Sequence, residues 1–138
     1  MAATVAGLLH ELWAAHTTLE GLLPAERVFT GRVPIRTPMP YASITQPAGM
    51  ASGQSNLHRY GQETWRVQVW CERYAEGEAI QRAVEDCFLN YNGPLDTGGV
   101  LCIGHDSSFS LQEEEPGRTV WQFVIQFSIS IERPRADG

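Results

Sequence analysis

The sequence predicts an α+β fold, a two-layer sandwich in which a mainly antiparallel sheet carries two helices packed on one face. Three observations lead there. The stretch "VWQFVIQFSISIE" alternates without interruption: Trp121, Phe123, Ile125, Phe127, Ile129 and Ile131 fall on one side, and Gln122, Val124, Gln126, Ser128, Ser130 and Glu132 on the other. That is the period of a long strand buried on one face. A second stretch, "TWRVQVWCE" at 64–72, sets Trp65, Val67, Val69 and Cys71 against Thr64, Arg66, Gln68, Trp70 and Glu72. Segments 4–23 and 75–89 instead repeat their apolar residues every three or four positions, as amphipathic helices do. The resulting order, α, β, β, loop, β, α, β, β, β, places both helices over the apolar side of one sheet and leaves the other side open.

In the first helix the stripe is Val5, Leu8, Leu9, Leu12, Leu19, Leu22 and Leu23, with Thr4 placed to cap it and Pro24 to stop it. The adjacent β-branched Thr17 and Thr18 mark where it would break. "AERVFTGRVPIRTPMP" is dense in proline and glycine and leaves room only for a brief strand around 27–30; "YASIT" at 41–45 is a short strand. Segment 46–61, "QPAGMASGQSNLHRYG", has little to bury and reads as an extended loop or hairpin tip. The second helix shows Ala79, Ile80, Ala83, Val84, Cys87 and Phe88 on one stripe. "NYNGPLDTGG" is turn chemistry leading to two short strands, 100–103 and 108–112, and "EEEPGR" at 113–118 connects them to the last strand with Pro116 and Gly117 at the bend.

The 138 residues fit one domain, 1–138, able to bury a core without staples. A formal charge of −6 opposes gripping phosphate backbones, which draws on Lys and Arg, so duplex DNA is not expected as a ligand. Cys71, Cys87 and Cys102 are odd in number and lack CxxC spacing, as befits thiols in a reducing compartment. No run of apolar residues has the length to cross a bilayer, and no leader pattern is visible, so synthesis in the cytoplasm and no membrane contact are expected.

No reactive constellation stands out. His10, His16, His58 and His105 have no metal-ligand spacing, and His10 and His16 fall on opposite faces of a helix. A nucleophile pair of Cys71 or Cys102 with His58 or His105 is disfavoured because both cysteines are expected to point into the core. Glu113, Glu114 and Glu115 read as solvated turn residues, and Gly98 with Gly99 lacks the Lys-Ser or Lys-Thr of a phosphate loop. Catalytic, cofactor and metal sites are therefore all expected to be absent.

Four features, "LEGLLPAERVFTG", "PMPYASI", "ETWRVQVWCERYAEGEAI" and "FSLQEEEPGRTVWQFVIQFSISIERP", follow one another over most of 19–134. In this the chain resembles the tail-completion or tail-terminator proteins of tailed bacteriophages and gene transfer agents. The resemblance implies a structural virion protein without a cofactor. Such a protein forms a ring with itself, commonly a hexamer, that caps the tail tube protein and faces the head-tail connector or stopper, while DNA passes through the lumen without specific binding. The alternative is a small α+β binding or regulatory module that dimerises through its open sheet face.

Trp70 stands on the polar side of its strand, and an exposed tryptophan there is a natural interface anchor. The candidate interface joins Trp70, Arg66, Gln68, Gln122 and Gln126 with His58, Arg59 and Tyr60 of the loop. The competing reading is that Trp70 is covered by its own chain, by segment 46–61.

Overall fold

The computed structural model describes residues 4–47, 59–89, 91–94 and 100–133. Its centre is two long strands, β3 (Arg59–Cys71) and β6 (Arg118–Arg133), paired antiparallel from Arg59 opposite Arg133 to Cys71 opposite Trp121. Around them lie β1 (Val28–Thr30), β2 (Tyr41–Thr45), β4 (Asn92–Pro94) and β5 (Val100–Glu115), in the order β1-β2-β3-β6-β5-β4. All neighbours are antiparallel except β1 and β2, which run parallel. The α+β class and the two layers are as the alternation predicted.

Two differences concern strand length. β3 begins at Arg59, so the end of segment 46–61 belongs to the sheet, while His58 and the rest of 48–58 lie outside the described residues. The two short strands at 100–103 and 108–112 are one continuous strand, β5, and Glu113, Glu114 and Glu115 are its last residues, not a turn. The connection to β6 is just Pro116 and Gly117, and Gly117 holds a φ of 83° that a residue with a side chain rarely adopts.

The helices lie on the face presenting Val67, Val69, Phe123, Ile125, Phe127 and Ile129, all buried. Thr4 caps α1 (Val5–Ala15), its Oγ1 accepting from the Gly7 N–H at 3.0 Å. The first helix then breaks at His16, just before Thr17 and Thr18. His16 turns extended, and its Nδ1 accepts from the Leu19 N–H at 3.2 Å, capping α2 (Thr17–Leu22). With Nδ1 accepting, Nε2 carries the proton and meets Asp86 Oδ2 at 3.1 Å, which ties this corner to α3 (Tyr74–Phe88). Trp13 closes the same corner by donating from Nε1 to the Leu23 carbonyl at 2.8 Å.

In α3 the buried residues are Gly77, Ile80, Ala83, Val84 and Phe88; Ala79, expected on the stripe, is exposed. Glycine at 77 lets the helix lie against the sheet: a Cβ there would sit 2.1 Å from Phe123 Cε1 and 2.7 Å from Cys71 Sγ. Cys71 is buried as expected, but Cys102 is exposed. Leu101 and Ile103 take the inward positions of β5, so the residue between them must face away.

Candidate functional site: the open face and the free edge of β5

The register of the four central strands sorts the uncovered face into rows. Tyr41, Trp70, Gln122 and Leu111 stand side by side; next come Ser43, Gln68, Val124 and Phe109, then Thr45, Arg66, Gln126 and Ser107. Five of the eight residues expected at an interface, Trp70, Arg66, Gln68, Gln122 and Gln126, are thus brought onto one surface. Arg59 and Tyr60 pair with Arg133 and Glu132 at the far end of β3.

Much of this face is already engaged within the chain. Trp70 is half-buried under Tyr41, the rings stacked with centroids 5.2 Å apart at 28°. Among the described residues the cover comes from a cross-strand neighbour in β2, while 48–58 of the segment expected to cover it lie outside them. Burial pushes the Tyr41 phenol pKa up, Glu115 adds to the rise, Arg118 opposes it and Glu113 adds again, so the charges at the end of the β5-β6 hairpin reach this stack. Arg66 donates from Nε and Nη2 to Gln126 Oε1 at 3.3 and 2.9 Å, and Gln126 Nε2 donates to Ser107 Oγ at 2.8 Å, a chain of bonds across three strands. Ser43, buried, donates to the Gly31 carbonyl. Gln122, expected to be open to solvent, is only 7% exposed, because Trp70 and Leu111 flank it in its row.

The large apolar groups that remain exposed here are Phe109 and Leu111, at 44% and 48%. Sequence reasoning missed them because of a register shift between His105 and Ser107. Up to His105 the odd positions of β5 face the helices, with Leu101 opposite Ile131, Ile103 opposite Ile129 and His105 opposite Phe127. The extra residue, Asp106, reverses that phase: Ser108 opposes Ile125 and Ser110 opposes Phe123 on the helix side, and Phe109 and Leu111 turn outward. β5 also has a free flank. β4 pairs with Val100, Leu101 and Cys102, and the Ile103 N–H donates to the Tyr91 carbonyl at 3.0 Å, so among the described residues the outer edge of 104–115 has no strand beside it.

The same phase reversal brings His105 and Ser108 to the helix side together. His105 Nε2 lies 2.7 Å from Ser108 Oγ, which donates to Glu85 Oε1 at 3.0 Å; Gln81 Nε2 donates to the same oxygen at 3.1 Å. The three residue types are those of a hydrolytic triad, but the order differs. Here the serine hydroxyl donates to the carboxylate and the imidazole donates to the serine oxygen, so the hydroxyl is braced between α3 and β5 and the imidazole does not stand as its acceptor, as it would in a triad. A cleft of about 350 Å³ beside it has Tyr74, Gln81, Glu85, Ser108, Phe109 and Phe123 among its lining residues. Burial pushes the Cys71 thiol up to about 11 and the Cys87 thiol up to about 12, the protonated and unreactive state. Among the described residues no group of three or more His, Cys, Asp or Glu side chains is gathered as metal ligands, and no helix is long and apolar enough to cross a membrane.

No family model matches the chain, and no curated protein matches it. Solved structures do. A chain of the virion of a native gene transfer agent particle superposes with a TM-score of 0.73 at 18% identity, over 90% of this chain and 91% of that one. A second solved chain superposes with a TM-score of 0.61 at 12% identity, over 96% of this chain and 99% of the other. At these identities the likeness is one of fold, and it extends over nearly the whole of each chain.

Proposed function

We propose that this chain is a structural virion protein of the tail-terminator or tail-completion kind. It forms a ring of six copies that caps the tail tube and meets the head-tail connector, and it performs no catalysis. The observation that carries the reading is the fold shared with a gene transfer agent virion chain along almost its full length. The character of the surface supports it: a long pair of strands with aromatic and glutamine rows on the face away from the helices and, among the described residues, an unpaired sheet edge beside them. Heterologous contacts between such surfaces close into rings when the rotation between copies closes. The net charge of −6 suits a lumen through which DNA slides.

The test is native mass spectrometry across a concentration series, with the sample also imaged by electron microscopy. Six copies of the 15.3 kDa chain give about 92 kDa and a ring-shaped particle. A stable dimer would instead favour a module pairing through its open face, and tight, salt-sensitive binding of duplex DNA would count against the lumen. Trp70→Ala sharpens the residue-level reading: a folded protein that no longer assembles places Trp70 in the contact, whereas a loss confined to thermal stability assigns it to the Tyr41 stack alone.

A further inference from the structure

The phase reversal in β5 is costly unless something uses it. Had the alternation of Leu101, Ile103 and His105 continued, 109 and 111 would face the helices; one inserted residue exposes a phenylalanine and a leucine on a strand that, among the described residues, has no strand along this part of its outer edge. Exposed apolar edges invite association, and proteins blunt those they do not use with charge. Here no charged residue lies in 107–112, while Glu113 and Glu115 follow on the same face as Phe109 and Leu111.

The opposite end of the sheet carries the complement. From Arg27 to Pro40 the chain has three arginines and no carboxylate. In the loop after β1, Ile35 is 82% exposed between the exposed Arg32 and Arg36. That loop is built: Thr37 bonds the Pro34 carbonyl through both its N–H, at 3.3 Å, and its Oγ1, at 2.7 Å, and Arg36 holds a φ of 70°. Among the described residues neither Arg32 nor Arg36 pairs with a carboxylate of its own chain.

We propose that the Arg32-Ile35-Arg36 loop of one copy docks on the Phe109-Leu111 edge of the next, with Ile35 against the two apolar side chains and the arginines against Glu113 and against Glu115, which already accepts from Arg118 Nε of its own chain at 2.9 Å. The proposal rests on the assembly reading and names its contact. The two halves of the interface sit on different segments, so each docked copy leaves a loop and an edge free, the head-to-tail condition for a ring. Opposed charges give such a contact its orientation and its sensitivity to salt.

The experiment uses two double variants, R32E/R36E and E113K/E115K, in the full-length protein. All four positions are exposed, and circular dichroism is the check on the fold of each variant. By analytical ultracentrifugation each variant alone should self-associate at least about tenfold more weakly than wild type, because its loop and edge now carry like charge. An equimolar mixture should recover oligomers of wild-type size, since the acidic loop of one variant fits the basic edge of the other. F109S should weaken association at high salt as well, where the charge contribution is screened. Wild-type oligomers in either variant alone, or no recovery on mixing, overturn this contact and leave ring assembly standing through another surface. A wild-type protein that stays monomeric throughout overturns the docking, and the terminator reading is then tested separately by adding tail tubes.

Discussion

The two faces of the sheet are made from the same strands and serve opposite ends. On the helix side Trp13, Phe88 and Phe127 meet in series, with centroids 6.2 and 5.4 Å apart, and all three are fully buried. The open side is bonded across its rows, by the Tyr41-Trp70 stack and the Arg66-Gln126-Ser107 chain, yet it still exposes Phe109 and Leu111. One face has used its apolar surface in folding and the other has kept some in reserve. A phenylalanine on one should therefore matter to stability, and a phenylalanine on the other to association.

The sharpest way to break that contrast is a pair of truncations. Phe127→Ala should cost about 3–5 kcal/mol in urea unfolding, as fully buried aromatics do, whereas Phe109→Ala should stay within about 0.5 kcal/mol of wild type. Comparable losses at both sites would show that Phe109 belongs to the core. Next in size is Gly77→Ala, which must push the Phe123 ring and Cys71 aside; a loss of about 1–3 kcal/mol is expected from overpacking, and a neutral result would mean that α3 can lift from the sheet at little cost.

A third test reads the faces by chemistry. Alkylation of the folded protein, followed by peptide mapping, should label the exposed Cys102 well before Cys71 and Cys87, whose thiols burial holds up at about 11 and about 12. Early labelling of Cys71 would mean that the helix layer opens. The smallest effect concerns His10, half-buried on α1 with Nε2 2.7 Å from Thr30 Oγ1. Burial lowers its pKa below 6.5, so the unfolded chain takes up a proton that the folded one resists. Its contribution is present above pH 6.5 and is lost as the pH falls through 6.5 toward the folded value. Calorimetry should show a smaller drop in Tm on acidification for His10→Gln than for wild type, and equal drops would remove the assignment.

The covered face was legible in the sequence where its elements keep one period: β6 alternates from Trp121 to Ile131 without a fault, and Thr4 and Pro24 bracket the first helical segment as cap and stop. The open face was legible only in part. Trp70, Arg66, Gln68, Gln122 and Gln126 follow from the same alternation, but which of them stay exposed depends on cross-strand neighbours that a linear reading does not see. Phe109 and Leu111 were hidden by a single inserted residue, which splits one strand into two apparent short ones. Cys102 escapes a linear reading because its apolar neighbourhood suggests burial, whereas its position in the alternation decides the matter. Ile35 lies in proline-rich chain with no period to read.

The β5-β6 hairpin also bears on how the chain reaches this structure. Its arms pair from Glu115 opposite Arg118 outward to Val100 opposite Glu132, so every contact extends one already made beside a two-residue turn. The β3-β6 ladder instead joins residues such as Arg66 and Gln126, 60 positions apart, and must await closure of a long loop. Local pairings of this kind form early in refolding, and distant ones carry the entropic cost that sets the rate. A truncation at Val120, within the hairpin, should therefore slow refolding in stopped-flow measurements, while one at Ala42, on the late-joining β2, should chiefly speed unfolding. The hairpin is then the seed of the sheet, and the nascent chain holds no seed until the stretch from Val100 to Arg133 has been made.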